Sequence, residues 1–317
     1  MAKKKQAMPR QHGKSFWVRF FRDGILRIAF YFLLATLSFV FLYPFIKMIT
    51  QSLMTDEDLI NITVKWIPSE MTWNNYAIAF RKLQFGTYFW NSFKVALIGT
   101  IGHVFSCAMT GYAFARYKFR FKGVLFGLVI LSMIVPVQTI IIPQYMQYSN
   151  WGWINSPYYL PLLVPTFFGF GLSGGFFIFL FRQFFLGLPY EMEEAARVDG
   201  CGPIRTYVRI MLPMSQSSLL VCSVLSLVWH WNDYFEPGIY VTDVWLKMLP
   251  NRLPSLYAEL SKENFTMIQV NDLEGIIFNE AMLMAATFLC IVPILVLYLF
   301  LQRRFMEGVE RSGLTGM

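Results

Sequence analysis

Aromatic and polar side chains alternate at one point of the sequence, WHWNDY, from Trp229 to Tyr234. Aromatic ring faces beside amide and carboxylate groups suit a sugar, because a sugar offers both C–H faces and hydroxyl groups. An aromatic belt at a membrane interface has a similar composition and is the favoured alternative. The candidate solute contacts in this stretch are Trp229, Trp231, Asn232, Asp233 and Tyr234.

Groups that could carry out catalysis are scarce elsewhere. Cysteines occur only at Cys107, Cys201, Cys222 and Cys290, without C-x-x-C spacing, so neither a disulfide framework nor a metal site is indicated. No nucleophile lies in a pattern with a base, and no G-x-x-x-x-G-K-[ST] phosphate loop is present. His103 could relay protons within an apolar run, but a hydrogen-bonded contact between helices is the favoured interpretation. The sequence therefore predicts neither an enzyme nor a chain that hydrolyses ATP itself.

Composition indicates a membrane protein. Hydrophobic residues make up 56% of the 317 residues and charged residues only 15%, whereas soluble domains carry about a quarter charged residues. A membrane helix needs about 20 mainly apolar residues, and six runs qualify. The sequence thus predicts an all-α membrane protein with spans at residues 25–49, 92–115, 123–142, 160–181, 217–240 and 281–301. Within the fourth run, Gly171-x-x-x-Gly175 fits a close helix contact.

The distribution of basic residues predicts the orientation. If the N-terminus is cytoplasmic, the cytoplasmic segments hold 19 of the 27 Lys and Arg residues, which satisfies the positive-inside rule. The net charge of +8 is then explained by topology, and no nucleic-acid partner is needed. We expect a basic cytoplasmic tail at residues 1–24, a membrane domain at 25–304 and a cytoplasmic tail at 305–317. The stretch KSFWVRFFRDG in the first tail suits either an interfacial helix or an ordinary basic flank.

A polar segment at residues 186–214 interrupts the apolar runs, with the central sequence YEMEEAARVDGCGPIRTYVRIMLP. Three carboxylates favour a helix start by their interaction with its macrodipole, and Glu193 can pair with Arg197 one turn later. Gly200 suits a left-handed helix end, and Pro203 suits the first position of a second helix. We therefore expect a helical hairpin.

The two hairpin helices each carry an apolar pattern. Met192, Ala195 and Ala196 are spaced to share one face of the first helix. The second helix is predicted to have an apolar stripe formed by Ile204, Val208, Met211 and Leu212. A solvated loop and a DNA-binding helix-turn-helix are alternatives, although flanking membrane spans argue against DNA. The remaining interpretation is a docking surface for a cytoplasmic partner.

The hairpin resembles the EAA loop of ATP-binding-cassette importer permeases. The matching positions are Glu194-Ala195-Ala196, then Gly200, Ile210 and Leu212-Pro213, at the family's spacing. Further stretches are similar to the six-span, maltose-type branch that takes up carbohydrates, including LYPFIKMITQSL, GYAFARYKFRFKG, MIVPVQTIIIPQY and QRRFMEGVERSGLTG. The resemblance covers nearly all of the chain after residue 25. Two stretches depart from the pattern: residues 244–279 do not align, and the tail lacks the basic residue that relatives often carry before the last glycine.

The resemblance implies a permease subunit in the plasma membrane of a bacterium, importing a carbohydrate of oligosaccharide size. Its implied partners are a homologous permease in a heterodimer, two ATPase subunits that bind the ATP, and an extracytoplasmic solute-binding protein; the chain itself needs no cofactor. The alternative is a six-span secondary transporter or channel without an ATPase, which would predict intramembrane charges and internal repeats. Residues implied to couple to the ATPase are Glu194, Ala195, Ala196, Asp199, Gly200, Ile210, Leu212 and Pro213.

The predicted external loops, residues 50–91 and 241–280, contain aromatic residues that could contact the binding protein. These are Trp66, Trp73, Tyr76, Trp245 and Tyr257. Packing of the loops onto the spans is an equally good interpretation.

Overall fold

The computed structural model describes residues 14–61, 63–64, 66–266 and 279–314. These residues form helices and turns, and none of them lies in a β-strand. The all-helical class predicted from composition is therefore confirmed for the described part of the chain. The chain divides into two units, Met1–Thr72 and Trp73–Met317, which are described separately below.

The described part of the first unit consists of a long helix and a short segment that follows it. Helix α1 (Lys14–Ser52) is followed by α2 (Asp56–Ile60). From Gly24 to Ser52, α1 is apolar and long enough to cross a bilayer, and its window of highest hydropathy has no buried residue. The backbone of α1 includes part of the predicted N-terminal tail, and residues 1–13 lie outside the described residues.

The segment after α1 is held by local contacts. The backbone N–H of Asp58 donates to the Thr55 hydroxyl oxygen, which caps α2. The N–H of Ser69 donates to Asp58 Oδ2 over 3.0 Å. Trp66 packs edge-on against Tyr43 with ring centroids 5.1 Å apart, and its side chain is 41% exposed. Trp66 therefore packs partly onto helix α1, as one of the two interpretations of the aromatic loop residues predicted, and remains partly exposed.

The second unit contains thirteen described α-helices. In chain order they are α3 (Asn74–Lys82), α4 (Phe85–Arg116), α5 (Lys122–Ile134), α6 (Val137–Asn150), α7 (Leu160–Leu163), α8 (Gly174–Gly187), α9 (Glu191–Val198), α10 (Pro203–Thr206), α11 (Leu212–Met214), α12 (Gln216–Asn232), α13 (Phe235–Tyr240), α14 (Leu249–Thr266) and α15 (Glu280–Leu314). Turns of 3₁₀-helix cover Val164–Phe168 and Val244–Leu246, and a π-helical turn, Tyr207–Met211, joins α10 to α11.

Three helices of the described chain are long and apolar enough to cross a membrane: Gly24–Ser52, Phe85–Arg116 and Glu280–Arg303. The count rises to five if each of two bent pairs is taken as one span. One pair is α5 with α6, bent by 101°, and the other is the helix over Pro203–Met214 with α12, bent by 78°. Long helices therefore cover the predicted spans at 25–49, 92–115 and 281–301.

The other three predicted spans are not single helices, which corrects the prediction. The run at 123–142 breaks before Pro136, because a residue that precedes proline is disfavoured in the helical region. The run at 160–181 is interrupted at Gly169, Gly171 and Ser173, whose φ angles are 69°, 92° and 57°. The run at 217–240 divides after Asn232.

Helix α4 has partners on two sides, since it packs against α8 and α12, while α12 also packs against α15. Glycines permit the close approaches. A Cβ on Gly111 would lie 2.6 Å from Phe181 Cβ on α8, and a Cβ on Gly175 would lie 2.9 Å from the Val129 carbonyl oxygen on α5. Gly171 instead lies in the turn before α8, so only the second glycine of the predicted G-x-x-x-G motif makes a helix contact.

Buried polar groups also join these helices. His103 Nδ1 on α4 lies 3.3 Å from Ser226 Oγ on α12. Within α12, His230 Nδ1 lies 2.8 Å from the Ser226 carbonyl oxygen. The Ser106 hydroxyl donates to the Thr166 carbonyl oxygen over 2.6 Å. The hydrogen-bonded helix contact predicted for His103 is therefore confirmed.

Candidate functional site

The polar segment forms the predicted helical hairpin. Helix α9 ends in a Schellman motif, in which the Cys201 N–H donates to the Ala196 carbonyl over 2.9 Å and the Gly200 N–H donates to the Arg197 carbonyl over 3.0 Å. Gly200 has a φ of 76°, the left-handed conformation expected of it. Pro203 is the first residue of α10, as predicted. Both the turn and the start of the second helix are thus confirmed.

The second arm of the hairpin contains an irregular turn. A π-helical turn at Tyr207–Met211 adds a residue to the helical repeat before the arm ends at Met214. Met211 is fully buried among residues of α4, α8 and α12, with Ile210 and Leu212 packed beside it. Pro213 lies in the last turn of this arm and is exposed.

A buried ion pair attaches the hairpin to α4. Arg116 Nε, at the end of α4, lies 3.1 Å from Glu193 Oε1, and the two side chains are 1% and 4% exposed. Arg197 Nη2 lies 3.7 Å from Glu193 Oε2, which confirms the predicted pair one helical turn apart. The Arg116 guanidinium also donates to the Leu188 carbonyl and lies 4.1 Å from the centre of the Tyr190 ring. The Arg116 side chain therefore contacts both the segment that leads into α9 and the first turn of α9.

This ion pair was not predicted from the sequence, where Arg116 counts only as a cytoplasmic positive charge. The sequence gives little indication of the pair, because Arg116 and Glu193 are 77 positions apart and several other basic residues lie nearby in the predicted cytoplasmic segments. Only the packing of α8 beside α4 brings the two side chains together.

The ion pair also determines which face of α9 is buried. Glu193 and Ala196 point into the protein, whereas Met192, Glu194 and Ala195 are exposed. Met192, Ala195 and Ala196 all lie on α9 as predicted, but they differ in exposure, because Ala196 is buried while Met192 and Ala195 are exposed. The physical reason is that Glu193 must turn inward to reach Arg116, and the residue three positions later turns inward with it.

The tip of the hairpin exposes apolar side chains. Val198 is 87% exposed and Ile204 is 80% exposed, on either side of the turn, and Val208 is 52% exposed farther along the second arm. Asp199 and Gly200 between them are exposed as well. The predicted apolar stripe of the second helix is consequently split, because Met211 and Leu212 pack inward while Ile204 and Val208 do not. Clustered exposed apolar groups of this kind are typical of a protein-interaction surface.

The structure separates the members of the predicted aromatic and polar stretch. Trp231 is buried, and its Nε1 donates to the Cys290 carbonyl over 3.2 Å. Asp233 Oδ1 accepts from the Phe235 N–H, while Asn232 and Tyr234 are exposed. Trp229 lies against Phe176 and Phe177 and lines a cavity. The structure therefore does not bring these five residues together, because α12 ends within the stretch and the residues lie on different faces.

The cavity beside Trp229 has a volume of about 610 Å³. It lies between α5, α6, the turn before α8 and the region of α12 and α13. Most of its lining is apolar, and its polar side chains are Ser132, Gln144, Tyr148, Ser173, Glu236 and Tyr240. The Tyr240 hydroxyl donates to Gln144 Oε1 over 3.2 Å. Glu236 was not predicted as a site residue, although a carboxylate within an apolar run is a usable signal.

Potential metal ligands are dispersed in the described part of the chain. It contains no group of three or more His, Cys, Asp or Glu residues placed to share an ion. The four cysteines are free, and three of them are buried in apolar surroundings.

Comparison with known proteins gives a consistent result. Residues 106–311 match the family described as "Binding-protein-dependent transport system inner membrane component". An arabinooligosaccharides transport system permease protein from Halalkalibacterium halodurans is 27% identical over 285 residues, covering 89% of this chain and 94% of the relative. A lactose transport system permease protein from Rhizobium radiobacter is 26% identical, with 89% and 94% covered.

Two further matches extend the range of related proteins. An sn-glycerol-3-phosphate transport system permease protein from Yersinia enterocolitica is 26% identical, covering 86% of this chain and 91% of the relative. The fold is similar to a chain of a bacterial ABC transporter involved in import of the acidic polysaccharide alginate, with a TM-score of 0.72 at 21% identity. That match covers 90% of this chain and 98% of the other. The chain therefore belongs to the family of binding-protein-dependent transport system inner membrane components, and it is a multi-pass permease subunit of an ATP-binding-cassette importer rather than an enzyme.

Proposed function

We propose that this subunit imports a carbohydrate, of oligosaccharide size, and forms one half of a translocation pore with a homologous permease. The curated relatives named for arabinooligosaccharides and lactose support this solute class. The structural support for this solute class is Trp229, which contributes an aromatic face to a cavity large enough for a small ligand.

The hairpin from Glu191 to Met214 is proposed to couple transport to ATP hydrolysis. Its exposed apolar tip at Val198 and Ile204 is the observation that carries the proposal, because a tip of this kind gains stability by docking into a groove on a partner. Two ATPase subunits would bind the ATP, and this chain would need no cofactor of its own. A solute-binding protein would deliver the carbohydrate from the external side.

Roles for the proposed coupling residues follow from their surroundings. Glu194 and Asp199 are exposed and available for polar contacts with the ATPase, and exposed Ala195 allows close approach. Gly200 forms the turn. The remaining proposed coupling residues attach the hairpin to the membrane core or complete its second arm: Ala196, Ile210, Leu212 and Pro213.

The proposed arrangement has six spans in a bacterial plasma membrane with both termini in the cytoplasm. The runs at 123–142, 160–181 and 217–240 would each cross as an interrupted span. Residues 25–304 would form the permease domain between cytoplasmic tails at 1–24 and 305–317. The excess of Lys and Arg in the predicted cytoplasmic segments supports this orientation.

Purification of the tagged subunit in mild detergent, followed by mass spectrometry, tests the assembly. We expect an ATPase, a second permease and a solute-binding protein to co-purify. Val198→Cys should crosslink to the ATPase, whereas buried Ala196 is unsuitable as a crosslinking position. Recovery of the subunit alone or as a homodimer, with no ATPase captured by the Val198→Cys variant, would favour a transporter working without ATP.

A further inference from the structure

The cavity beside Trp229 carries chemistry beyond an aromatic face. Glu236 on α13 is its one lining residue with a carboxylate, and no Lys or Arg is among the residues that line it. The ion pairs of Arg116 and Arg197 are both made with Glu193, so neither of these cations pairs with Glu236. An acidic group at such a position is costly within a membrane protein unless it serves a polar ligand or pathway.

The neighbouring polar groups complement the carboxylate. Gln144 Oε1 accepts from the Tyr240 hydroxyl, which leaves the Gln144 amide NH₂ as a hydrogen-bond donor. The Ser132 hydroxyl donates to the Val129 carbonyl and keeps lone pairs that can accept. Together with the Trp229 ring and the other aromatic residues of the lining, the cavity thus offers aromatic surface, donors and acceptors. These are the requirements for binding the C–H faces and hydroxyl groups of a sugar.

The charge of the lining further limits the solute. Hydroxyl groups can donate to the Glu236 carboxylate, and hydrogen bonds to a charged group are stronger than neutral ones. A carboxylate or phosphate group on the solute would instead meet a like charge with no basic side chain in the lining to offset it. A lipid hydrocarbon chain is also a poor occupant, because it would leave the Glu236 carboxylate without a hydrogen-bond partner.

We propose that this cavity, with Glu236, Gln144 and Trp229 as its main contacts, is a solute-binding site that accepts neutral oligosaccharides and rejects anionic ones. The inference rests on the proposed function, since it names the substrate class of the same importer. It separates this chain from its relative named for a phosphorylated solute and from its structural neighbour, which is involved in import of an acidic polysaccharide.

The test uses the complete importer in proteoliposomes with its solute-binding protein. Uptake of a neutral trisaccharide, maltotriose, is compared with uptake of an anionic one, trigalacturonate. We expect uptake of the neutral probe only. Glu236→Gln should lower that uptake about 10-fold or more, because it removes a charge-assisted hydrogen bond. Glu236→Lys should lower it further and improve trigalacturonate uptake relative to maltotriose.

Two controls separate this site from the rest of the importer. Glu280→Gln removes the same charge at an exposed position outside the cavity and should leave uptake unchanged. Affinity of the isolated solute-binding protein for each probe is measured separately, so that its own selectivity is not attributed to the permease. If Glu236→Gln and Glu280→Gln both transport maltotriose like the unmodified importer, the cavity proposal is wrong while the carbohydrate importer stands.

Occupancy of the cavity is measured with Ser132→Cys. A maleimide should label this cysteine in the assembled importer, and saturating maltotriose should slow labelling several-fold during turnover; the unmodified chain gives the background from Cys201. Labelling in the isolated subunit but not in the assembled importer would identify the cavity as a subunit interface and overturn the proposal. Absence of uptake or ATPase stimulation by any neutral or anionic carbohydrate would overturn the proposed function as well.

Discussion

The hairpin and the helix bundle around α4 obtain their geometry in different ways. In the hairpin, Gly200 and Pro203 set the turn and the helix start by their own backbone preferences. In the bundle, the contacts join residues far apart in sequence, such as Gly111 against Phe181 and His103 against Ser226. Substitutions should therefore act on the hairpin through local conformation and exposed contacts, and on the bundle through packing.

The largest effect on stability is expected where the two regions meet. Arg116→Leu leaves the Glu193 carboxylate buried without its main partner, and breaking a buried pair in this way costs about 3–5 kcal/mol. The apparent unfolding temperature of the purified subunit in detergent should fall accordingly. Arg205→Leu, which removes a charge from an exposed side chain of the same hairpin, is the matched control.

A double substitution sharpens the interpretation of the ion pair. Arg116→Leu combined with Glu193→Leu removes both charges, so part of the lost stability should return. If Arg116→Leu alone unfolds at the same temperature as Arg205→Leu, the ion pair does not attach the hairpin to α4.

Packing of the bundle is probed next. Gly111→Ala places a Cβ 2.6 Å from Phe181 Cβ and 2.9 Å from the Arg182 backbone nitrogen, so helices α4 and α8 must move apart. Overpacking of this kind costs about 1–3 kcal/mol. Gly127→Ala, also within a helix but with no atom within 4 Å of the new Cβ, should be neutral or slightly stabilising. Equal thermal stability of the two variants would contradict the close α4–α8 contact.

The turn of the hairpin should respond less in stability than in function. Gly200→Glu meets no steric obstacle, but its φ of 76° costs a side-chain-bearing residue about 1–2 kcal/mol. We expect a folded subunit whose solute-stimulated ATPase activity and uptake are lost. Gly200→Asn should retain more activity, because asparagine tolerates the left-handed conformation. Normal uptake by a well-expressed Gly200→Glu variant would argue against a coupling role for the turn.

The same difference explains what the sequence could predict. Gly200, Pro203 and the pairing of Glu193 with Arg197 are consequences of spacing within one or two turns, and the structure confirms them. The inward orientation of Glu193 depends on Arg116, which lies 77 positions earlier, so no local pattern indicates it. The burial of Ala196 beside exposed Met192 and Ala195 was not predicted for that reason.

The apolar runs show a similar limit. Hydropathy predicted where apolar sequence occurs, but it does not register how the backbone changes direction. The bend before Pro136 and the left-handed residues at Gly169 and Gly171 interrupt two runs whose apolar content is nearly continuous. Those interruptions create the walls of the cavity, and Glu236 enters its lining because the chain starts a new helix after Asn232. The aromatic stretch supplied one of the cavity residues, Trp229.

The smallest effect on stability, with a clear effect on function, is expected at the tip of the hairpin. Val198→Asp and Ile204→Asp alter side chains that are 87% and 80% exposed, so the unfolding temperature should change little, within about 0.5 kcal/mol. Each variant should nevertheless lose co-purifying ATPase, because a charged group replaces an apolar contact at the proposed interface. Ile60→Asp changes an isoleucine that is 82% exposed in the predicted external loop, and it should retain the ATPase. Retention of the ATPase by both hairpin variants would show that the exposed tip is not the docking surface. If the variants lose stability together with the ATPase, Val198 and Ile204 contribute to the folded subunit itself.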